Sequence, residues 1–322
     1  MATIIRLRAP GGADQLESAT IELPPPQADE IRIRQTAIGV NFIDIYQRMG
    51  LYPLPAAMLG VEAVGVVTAV GANVSSPGVG DRIAYAGTPV GAYASERNLP
   101  AWRAVNLPPS IADEAVASVF VKGITAYMLL SRVYPVGVGT TVLLHSAAGG
   151  LGQLMTRWAR HLGATVIGTV GSELKAETAR DAGAHHVIVG RDAEFAREVA
   201  SLTDARGVDV AYDGVGGATL AKTLLCVRPF GVIASIGQSA GAIPPVDVED
   251  LGPRRSLMLA RPSVMAYMNQ AQDYRIAADA VLSAVREGIL TSAGTAYRLS
   301  DVAQAHADLE GGRSSGSLYL VP

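Results

Sequence analysis

Short runs of apolar and β-branched residues, broken by proline and glycine, fill the first third of the chain. The runs at residues 30–35, 62–70 and 82–85 have the length and composition of strands. Turn sequences divide them, as in the Pro-Gly-Val-Gly-Asp segment at residues 77–81. The first helical pattern begins near Asp113, where two acidic residues precede an apolar stretch. This part of the chain is therefore predicted to form a small, mostly antiparallel β-domain.

From residue 140 onward, apolar strands alternate regularly with amphipathic helices. Strands are predicted at residues 141–145, 164–170, 186–189, 208–212, 231–237 and 256–260, and helices at residues 151–162, 173–182, 193–203 and 218–227. This alternation predicts an α/β domain with a doubly wound parallel sheet. The residues after 265 return to mixed helix and strand and end in a run at 316–321. We expect them to rejoin the first domain, so that the α/β block is an insertion.

Composition narrows the classes of partner. The chain has 322 residues, of which 49% are hydrophobic and 17% charged. Its formal net charge of -3 gives no electrostatic reason to expect nucleic acid or an anionic membrane as a partner. The first residues lack a signal-peptide pattern, and no apolar run approaches the roughly 20 residues of a membrane span. These features predict a cytoplasmic protein.

The cysteine and histidine content argues against a metal site. The single cysteine, Cys226, excludes an intrachain disulfide and a multi-cysteine zinc site. It lies in the apolar stretch 223–227, predicted as a helix face, so we expect a buried, unreactive thiol. The five histidines form no metal-binding pattern, and His145 is expected to be buried and hydrogen-bonded. Asp44 and Asp81 are expected to accept hydrogen bonds from backbone amides.

The glycine-rich segment Ala-Ala-Gly-Gly-Leu-Gly at residues 147–152 carries the clearest chemical signal. It lies directly between a predicted strand and a predicted helix, as a dinucleotide-binding fingerprint requires. Gly149 is expected to let the backbone approach a pyrophosphate, and Gly152 to let the helix pack closely on the strand. The amides at the helix N-terminus then face the phosphates. Ala147 departs from the usual pattern, because it stands at the first glycine position.

The end of the second strand of the α/β block favours NADP over NAD. An NAD-binding chain normally has an acidic residue there, which binds the ribose 2′-hydroxyl. Residues 165–172 contain no acid, and Ser172 and Lys175 follow with a hydroxyl and a cation. Lys175 is one of three lysines in the chain, and Arg191 is a second candidate for the 2′-phosphate. The sequence therefore predicts NADPH as the cofactor, although Glu173 adds a nearby carboxylate.

Several further segments resemble one family along the whole chain. They are residues 37–44, 50–53, 60–65, 70–71, 80–82, 122–127, 147–152, 168–171 and 261–263. With them the chain resembles the medium-chain dehydrogenases/reductases, specifically their quinone oxidoreductase (zeta-crystallin-like) branch. The resemblance implies a GroES-like catalytic domain over residues 1–122 and 266–322, and a Rossmann domain over residues 123–265. It also implies an active site in the cleft between the domains and a homodimer.

The resemblance also implies that zinc is absent. Asn41 stands where the alcohol dehydrogenase branch has a zinc-binding cysteine, and Val61 where it has a zinc-binding histidine. The cysteines of the structural zinc site are missing as well. Glu62, next to the second of these positions, is expected to serve a structural hydrogen bond. Two departures from the family concern the phosphate pocket: Gly190 replaces an aromatic or histidine side chain, and Arg313 is displaced by one position from the family's arginine near the C-terminus.

Site residues follow from the resemblance position by position. Asn41 is expected to position the reactants, and Tyr46 or Tyr52 to donate a hydrogen bond to the substrate oxygen, because no zinc polarises it. The predicted cofactor contacts are Asn41, Phe42, Tyr46, Tyr127, Ala148, Gly149, Gly150, Leu151, Gly152, Gly171, Ser172, Lys175, Arg191, Gly214, Gly237, Gln238, Ser239, Ala260, Arg261 and Pro262.

Three functions are compatible with these residues. The leading one is metal-independent reduction of a quinone by NADPH. The second is NADPH-dependent reduction of an activated C=C bond, as in an alkenal or enoyl-thioester, because neighbouring zinc-free branches share a tyrosine at a position like Tyr52. The third is a non-catalytic NADPH-binding protein with a structural or RNA-binding role. The acidic pI of about 6.0 weighs against RNA, and the intact residues predicted for the cleft weigh against a purely structural role.

Overall fold

The protein forms two compact units. The structure, a computed structural model, describes residues 1–190, 194–291, 294–314 and 316–322. The first unit comprises Met1–Ile124 and Met265–Pro322, and the second comprises Thr125–Val264. The sequence prediction placed the domain boundaries after residues 122 and 265.

The described residues include strands and helices in both units. The strands are β1 (Ala2–Leu7), β2 (Leu16–Ile21), β3 (Glu30–Val40), β4 (Glu62–Val70), β5 (Arg82–Ala86), β6 (Glu96–Pro100), β7 (Val105–Asn106), β8 (Thr141–His145), β9 (Thr165–Val170), β10 (His186–Val189), β11 (Val208–Asp213), β12 (Val227–Ser235), β13 (Met258–Ala260), β14 (Gly294–Arg298) and β15 (Ser317–Val321). The α-helices are α1 (Phe42–Arg48), α2 (Asp113–Met128), α3 (Gly150–His161), α4 (Glu173–Asp181), α5 (Phe195–Leu202), α6 (Thr219–Leu224), α7 (Val248–Leu251), α8 (Val264–Met268), α9 (Ala271–Arg286) and α10 (Val302–Glu310).

The first unit is built on a seven-stranded sheet with the order β14-β15-β3-β4-β5-β7, in which β6 also pairs with β3. Most pairs are antiparallel, as the sequence predicts, and β14–β15 is parallel. β1 and β2 form a separate antiparallel hairpin. The predicted return of the tail is confirmed, because β15 pairs with the end of β3 through Leu318 opposite Val40. Side chains of β3, β4, β5 and β15 form the core with Val302 and Ala305 of α10.

The second unit contains a six-stranded sheet in the order β10-β9-β8-β11-β12-β13, with every pair parallel. This confirms the doubly wound sheet that the α/β alternation predicts. Its core takes Leu143, Ile167, Ile188, Ala211 and Ile233 from five neighbouring strands. Because the strands are parallel, their carboxyl ends lie along one sheet edge, where ligands bind in open α/β sheets.

Some element limits differ from the prediction. β3 extends to Val40 instead of ending at residue 35, because β4 and β15 supply partners for its second half. β12 begins at Val227 instead of residue 231, because Val227 pairs with Val208. The helix predicted over residues 218–227 ends at Leu224.

The position of Cys226 is also corrected. It lies in the turn between α6 and β12, not on a helix face. The thiol is buried as predicted, and burial raises its pKa to about 12, which keeps it protonated and unreactive near neutral pH.

One helical segment is long enough to cross a membrane. Asp113–Val133, which joins α2 to the helical turn after it, has 21 residues, and an 18-residue stretch within it has a mean hydropathy of 1.4. This differs from the expectation that no apolar run approaches the length of a membrane span. However, 67% of the most apolar 18-residue stretch within it is buried inside the protein, which is typical of a core helix.

Candidate functional site

The loop after β8 places backbone amides at the carboxyl edge of the parallel sheet. Ser146 adopts a positive φ of 57°, and the Ala147 amide donates to the carbonyl of Thr169 on β9 at 3.1 Å. The Gly149 amide donates back to the Ser146 carbonyl at 2.9 Å, and α3 begins at Gly150. The amides in the first turn of a helix lie outside its own hydrogen-bond ladder. This turn can therefore bind an anionic pyrophosphate.

The glycines of this loop have different spatial roles. A β-carbon on Gly152 would overlap the Ser146 carbonyl oxygen and the backbone of Ala147, so close packing of helix on strand requires a glycine there. A β-carbon on Gly149 would lie 3.3 Å from the Ser146 oxygen, which is tight but compatible with the fold. Packing within the protein therefore requires Gly152, whereas Gly149 leaves space beside the amides for a ligand.

Ala147, the departure from the usual fingerprint, is accommodated by the neighbouring strand. Ala147 is fully buried, and a β-carbon on Gly168 of β9 would lie 2.7 Å from the β-carbon of Ala147. Gly168 thus provides the space that a glycine at position 147 would otherwise provide. The two positions are sterically coupled.

This coupling predicts a rescue. We expect Gly168→Ala to destabilise the protein by about 1–3 kcal/mol, because it overpacks a buried contact. The double variant Gly168→Ala, Ala147→Gly should recover most of that loss, although Ala147→Gly alone should be neutral or destabilising. Urea unfolding of the four proteins measures the coupling free energy. Simple additivity of the two substitutions would contradict the steric explanation.

The end of β9 carries the residues predicted for the 2′-phosphate. Gly171 and Ser172 are exposed immediately before α4, and Lys175 is half-buried in the first turn of that helix. The carboxylate of Glu173 lies 3.9 Å from the guanidinium of Arg180 on the same helix. Arg191, the second predicted phosphate ligand, lies outside the described residues. The described part of the predicted pocket is therefore a hydroxyl and a cation beside a helix N-terminus.

The loop after β11 approaches the loop after β12. A β-carbon on Gly237 would lie 2.6 Å from the carbonyl oxygen of Gly214, and the Ser239 hydroxyl donates to that oxygen at 3.3 Å. Arg261 follows β13 and donates to the Ser235 hydroxyl at 2.8 Å and to the Gly237 carbonyl at 3.4 Å. These predicted cofactor residues are thus brought together at one sheet edge.

The remaining predicted residues of the second unit differ in exposure. Tyr127 is half-buried, with its ring 5.8 Å from that of Trp158 on α3. Gln238, Ala260 and Pro262 are half-buried near the carboxyl ends of β12 and β13. Of the loop residues after β8, Ala148 is buried and Gly150 and Leu151 are half-buried.

In the first unit, the predicted catalytic residues form one aromatic group around α1. Asn41 immediately precedes the helix, and Phe42 and Tyr46 lie on it with ring centroids 5.7 Å apart. The Tyr52 ring packs edge-on against Tyr46 at 5.3 Å. The Leu51 amide donates to the Tyr46 carbonyl at 2.9 Å, which holds this segment against the helix. The group therefore contains two phenol side chains and one amide side chain.

The side chains at the two predicted zinc-ligand positions do not fit a zinc ion. The Asn41 Nδ2 donates to Glu62 Oε1 at 2.7 Å, and the other oxygen of Glu62 accepts from the Val121 amide at 2.7 Å. Val61 is buried and apolar. An amide bonded to a carboxylate and a valine side chain do not supply the nitrogen, sulfur or carboxylate ligands that zinc takes. Within the described ranges, no three His, Cys, Asp or Glu residues form a group that could hold a metal.

Glu62 performs the structural hydrogen bonding that the sequence predicts. Burial raises the pKa of this carboxyl, although the nearby Lys122 ammonium and the bond from Asn41 oppose the rise. Lys122 in turn donates to the Val40 carbonyl at 3.3 Å, and burial lowers its pKa. Lys122 was not among the predicted site residues. The sequence signal that identifies it is a charged residue within the long apolar helix α2.

A buried series of hydrogen-bonded polar side chains was also not predicted from the sequence. Asp44 accepts from the Asn41 amide at 2.8 Å, as predicted, and from the Tyr93 hydroxyl at 3.0 Å. The same hydroxyl lies 2.9 Å from His306 Nε2, and the other ring nitrogen of His306 lies 3.3 Å from the guanidinium of Arg48. Arg48 is buried, and its guanidinium pairs with Glu310 at 2.8 Å. Because arginine can only donate, His306 Nδ1 accepts and Nε2 carries the proton.

Two other residues named from the sequence make local contacts. Asp81 accepts from the Gly78 amide at 2.8 Å, so its predicted turn role is confirmed. Arg313 donates to the Asp308 carboxylate at 2.8 Å and to the Ala307 carbonyl at 2.9 Å, within the first unit. Its guanidinium therefore stabilises the end of α10.

Comparison with known proteins finds two families and close full-length relatives. The alcohol dehydrogenase GroES-like domain family matches residues 27–109, and the zinc-binding dehydrogenase family matches residues 150–283. A 2-haloacrylate reductase of a Burkholderia species is 41% identical, and the match covers 100% of this chain and 99% of the relative. Quinone oxidoreductase 1 of Escherichia coli strain K12 is 37% identical, and the match covers 100% of both chains.

A solved structure shares the fold. The crystal structure of Escherichia coli quinone oxidoreductase complexed with NADPH matches with a TM-score of 0.96 at 37% identity. The match covers 99% of this chain and 100% of that chain. The similarity therefore extends over both units and is not confined to the loop after β8.

Proposed function

Because the chain belongs to the quinone oxidoreductase family of medium-chain dehydrogenases/reductases, we propose that it transfers a hydride from NADPH to a quinone. The observation that carries the proposal is the similarity to quinone oxidoreductases over the full chain, including every described segment predicted to bind the cofactor. The local geometry agrees with it: the turn into α3 fits a pyrophosphate, and the end of β9 fits a 2′-phosphate.

The proposed roles divide between the units. Reduction of a quinone to a hydroquinone takes one hydride, which bound NADPH supplies, and one proton. In the second unit, the amides at the start of α3 hold the pyrophosphate, and Ser172 and Lys175 hold the 2′-phosphate. In the first unit, Asn41 orients the reactants, and Tyr46 or Tyr52 donates a hydrogen bond to the oxygen on which negative charge develops.

An NADPH-oxidation assay tests this function. We expect rapid turnover with a naphthoquinone or phenanthrenequinone and much slower turnover with crotonyl-CoA or an alkenal. Binding of NADPH without turnover on any acceptor would overturn the enzymatic proposal in favour of a non-catalytic NADPH-binding protein.

Reduction of an activated C=C bond is the second candidate, and the similarity to a 2-haloacrylate reductase favours it. In this reaction a carbon atom must receive the proton after hydride transfer, so a positioned acid matters more than for a quinone oxygen. Including 2-haloacrylate among the acceptors decides between the two candidates. A higher kcat/KM for 2-haloacrylate than for any quinone would establish the second.

The tyrosine hydroxyls are expected to contribute modestly to quinone reduction. Tyr52→Phe keeps the ring contact with Tyr46 and removes only one hydrogen-bond donor. We expect kcat with a quinone to fall by less than about tenfold, consistent with a net hydrogen-bond contribution of about 0.5–1.5 kcal/mol. Steady-state kinetics at saturating NADPH measures this effect. A loss of more than about a thousandfold would instead indicate general-acid chemistry by Tyr52.

Lys175 is expected to select NADPH over NADH. Lys175→Ala should raise the KM for NADPH by roughly tenfold to a hundredfold, because a charged hydrogen bond contributes about 1.5–3 kcal/mol. The KM for NADH should hardly change. Lys222→Ala is the matched control, since Lys222 lies on α6 of the same unit and pairs with Glu194 at 3.4 Å. An unchanged NADPH/NADH preference in Lys175→Ala would exclude this role.

We further propose a cytoplasmic homodimer that has neither nucleic acid nor a membrane as a partner. β13 forms the edge of the parallel sheet, and Met258 and Leu259 on it are exposed. An exposed apolar edge strand is a template for pairing with a second copy. Sedimentation of the wild-type protein and of Leu259→Lys tests this, with a dimer and a weakened dimer expected. A monomeric wild-type protein would contradict the proposal.

A further inference from the structure

A buried hydrogen-bonded cluster connects three strand ends of the second unit. His145 is the last residue of β8, and its Nδ1 lies 2.8 Å from the hydroxyl of Thr169 on β9. Its Nε2 lies 2.9 Å from the hydroxyl of Thr223 on α6. The Thr223 hydroxyl lies 3.1 Å from Asp213 Oδ2 at the end of β11. The other oxygen of Asp213 accepts hydrogen bonds from the amides of Val215 and Gly216, each at 2.9 Å.

Two acceptors beside Thr223 orient its hydrogen bond with His145. Asp213 accepts only, and the Thr223 hydroxyl has one proton, which goes to Asp213 or to the Thr219 carbonyl at 3.0 Å. The oxygen of Thr223 must then accept the Nε2 proton of His145. A neutral imidazole with its proton on Nε2 accepts at Nδ1, so the Thr169 hydroxyl donates there. Burial lowers the pKa of His145, which agrees with a neutral ring.

Each connected strand end leads into a predicted cofactor loop. β8 is followed by residues 148–152, β9 by Gly171 and Ser172, and β11 by Gly214. His145 is buried, and its ring packs edge-on against Phe195 at 4.9 Å, which limits its movement. Replacing the His145 side chain should therefore affect the positions of all three loops through these hydrogen bonds.

We propose that His145 is a positioning residue for NADPH, which fixes the three loops at the spacing that the dinucleotide requires by bonding to Thr169 and Thr223. The proposal rests on the cofactor part of the proposed function and does not depend on which acceptor is reduced. His145 does not itself contact the reacting atoms in this scheme. It acts through the loops that do bind the cofactor.

Fluorescence titration of the full-length protein with NADPH, without any acceptor, provides the test. His145→Phe should raise the Kd for NADPH at least tenfold, and His145→Gln, which can donate and accept, should recover part of the affinity. Thr223→Val should also weaken binding. Both substitutions remove the same hydrogen bond between His145 and Thr223. The His145→Phe, Thr223→Val double variant should therefore bind NADPH little worse than His145→Phe alone.

Leu143→Ala is the matched control, because Leu143 is buried two residues earlier on β8 and belongs to the apolar core instead of the polar cluster. It should lower the thermal midpoint while leaving the Kd for NADPH within about twofold, since its loss acts on packing alone. A His145→Phe protein that loses thermal stability but keeps wild-type NADPH affinity would overturn the positioning role. Failure of the wild-type protein to bind NADPH would instead refute the cofactor assignment.

Discussion

Replacing Gly152 with alanine is expected to raise the dissociation constant for NADPH by about a hundredfold, or ~2.7 kcal/mol. The new β-carbon would overlap the Ser146 carbonyl oxygen and the backbone of Ala147. These are main-chain atoms, so the start of α3 must move away from the end of β8. The amides that are proposed to hold the pyrophosphate move with it. Because the same change overpacks a buried contact, the free energy of unfolding should also fall by about 1–3 kcal/mol.

Two control variants separate the effect on binding from the effect on folding. Gly149→Ala introduces a methyl group in tight but tolerable contact, so stability should be nearly unchanged while NADPH binding weakens. Ala159→Gly lies at a buried position later in α3 and should cost about 1 kcal/mol of stability without affecting binding. Calorimetric titration with NADPH and urea unfolding measure both quantities. A Gly152→Ala protein that binds NADPH within threefold of wild type would contradict the role of this close contact.

We expect Asp44 and His306 to change the free energy of unfolding with pH in opposite directions. Burial raises the pKa of Asp44 from 3.8 to about 7 and lowers that of His306 from 6.5 to about 3. The folded protein therefore keeps a proton on Asp44 that the unfolded chain loses, and the free energy of unfolding falls as pH rises from about 4 to about 7. The unfolded chain instead gains a proton on His306, so the free energy of unfolding falls as pH decreases from about 6.5 to about 3.

Single substitutions should reveal each dependence separately. Between about pH 4 and 6.5, the two slopes of about 1.4 kcal/mol per pH unit oppose each other in the wild-type protein. Asp44→Asn retains an oxygen that can accept from Tyr93, and relative to wild type its stability should rise more steeply with pH. His306→Gln should show the opposite change in slope. Urea unfolding at several pH values in this window tests both. Identical slopes in all three proteins would exclude this pair as the source of pH dependence.

The second unit was largely predictable because its signals are local. Strand, turn and helix follow one another within short segments, so apolar periodicity locates them, and β10 has the predicted limits. β12 was misplaced because Arg228, Pro229 and Phe230 have the composition of a turn. In the structure Phe230 has a positive φ of 59°, but Val227 still pairs with Val208 on β11. That pairing depends on a strand distant in sequence, which local pattern cannot show.

The buried series of hydrogen-bonded side chains in the first unit was not predictable, because it too depends on contacts between segments distant in sequence. Tyr93, His306 and Arg48 lie on three segments far apart in sequence, which only the tertiary fold brings together. The loop residues after β8 could be predicted from the sequence, because the glycine-rich motif lies directly between a predicted strand and a predicted helix. The space that Gly168 leaves for the Ala147 side chain could not be predicted, since it depends on the pairing of β8 with β9.

The pairing of β15 with β3 has a consequence for folding during synthesis. The ribosome makes the strands of the second unit as one uninterrupted series that ends at Ala260, whereas residues 38–40 of β3 obtain their β15 partner only when Ser317–Val321 has been translated. We therefore expect the nascent chain to close the later sheet first and to carry residues 38–40 of β3 without their β15 partner until β15 has been translated. During that interval the unpaired backbone at the end of β3 is a site where another chain could add a strand, and a chaperone could protect it.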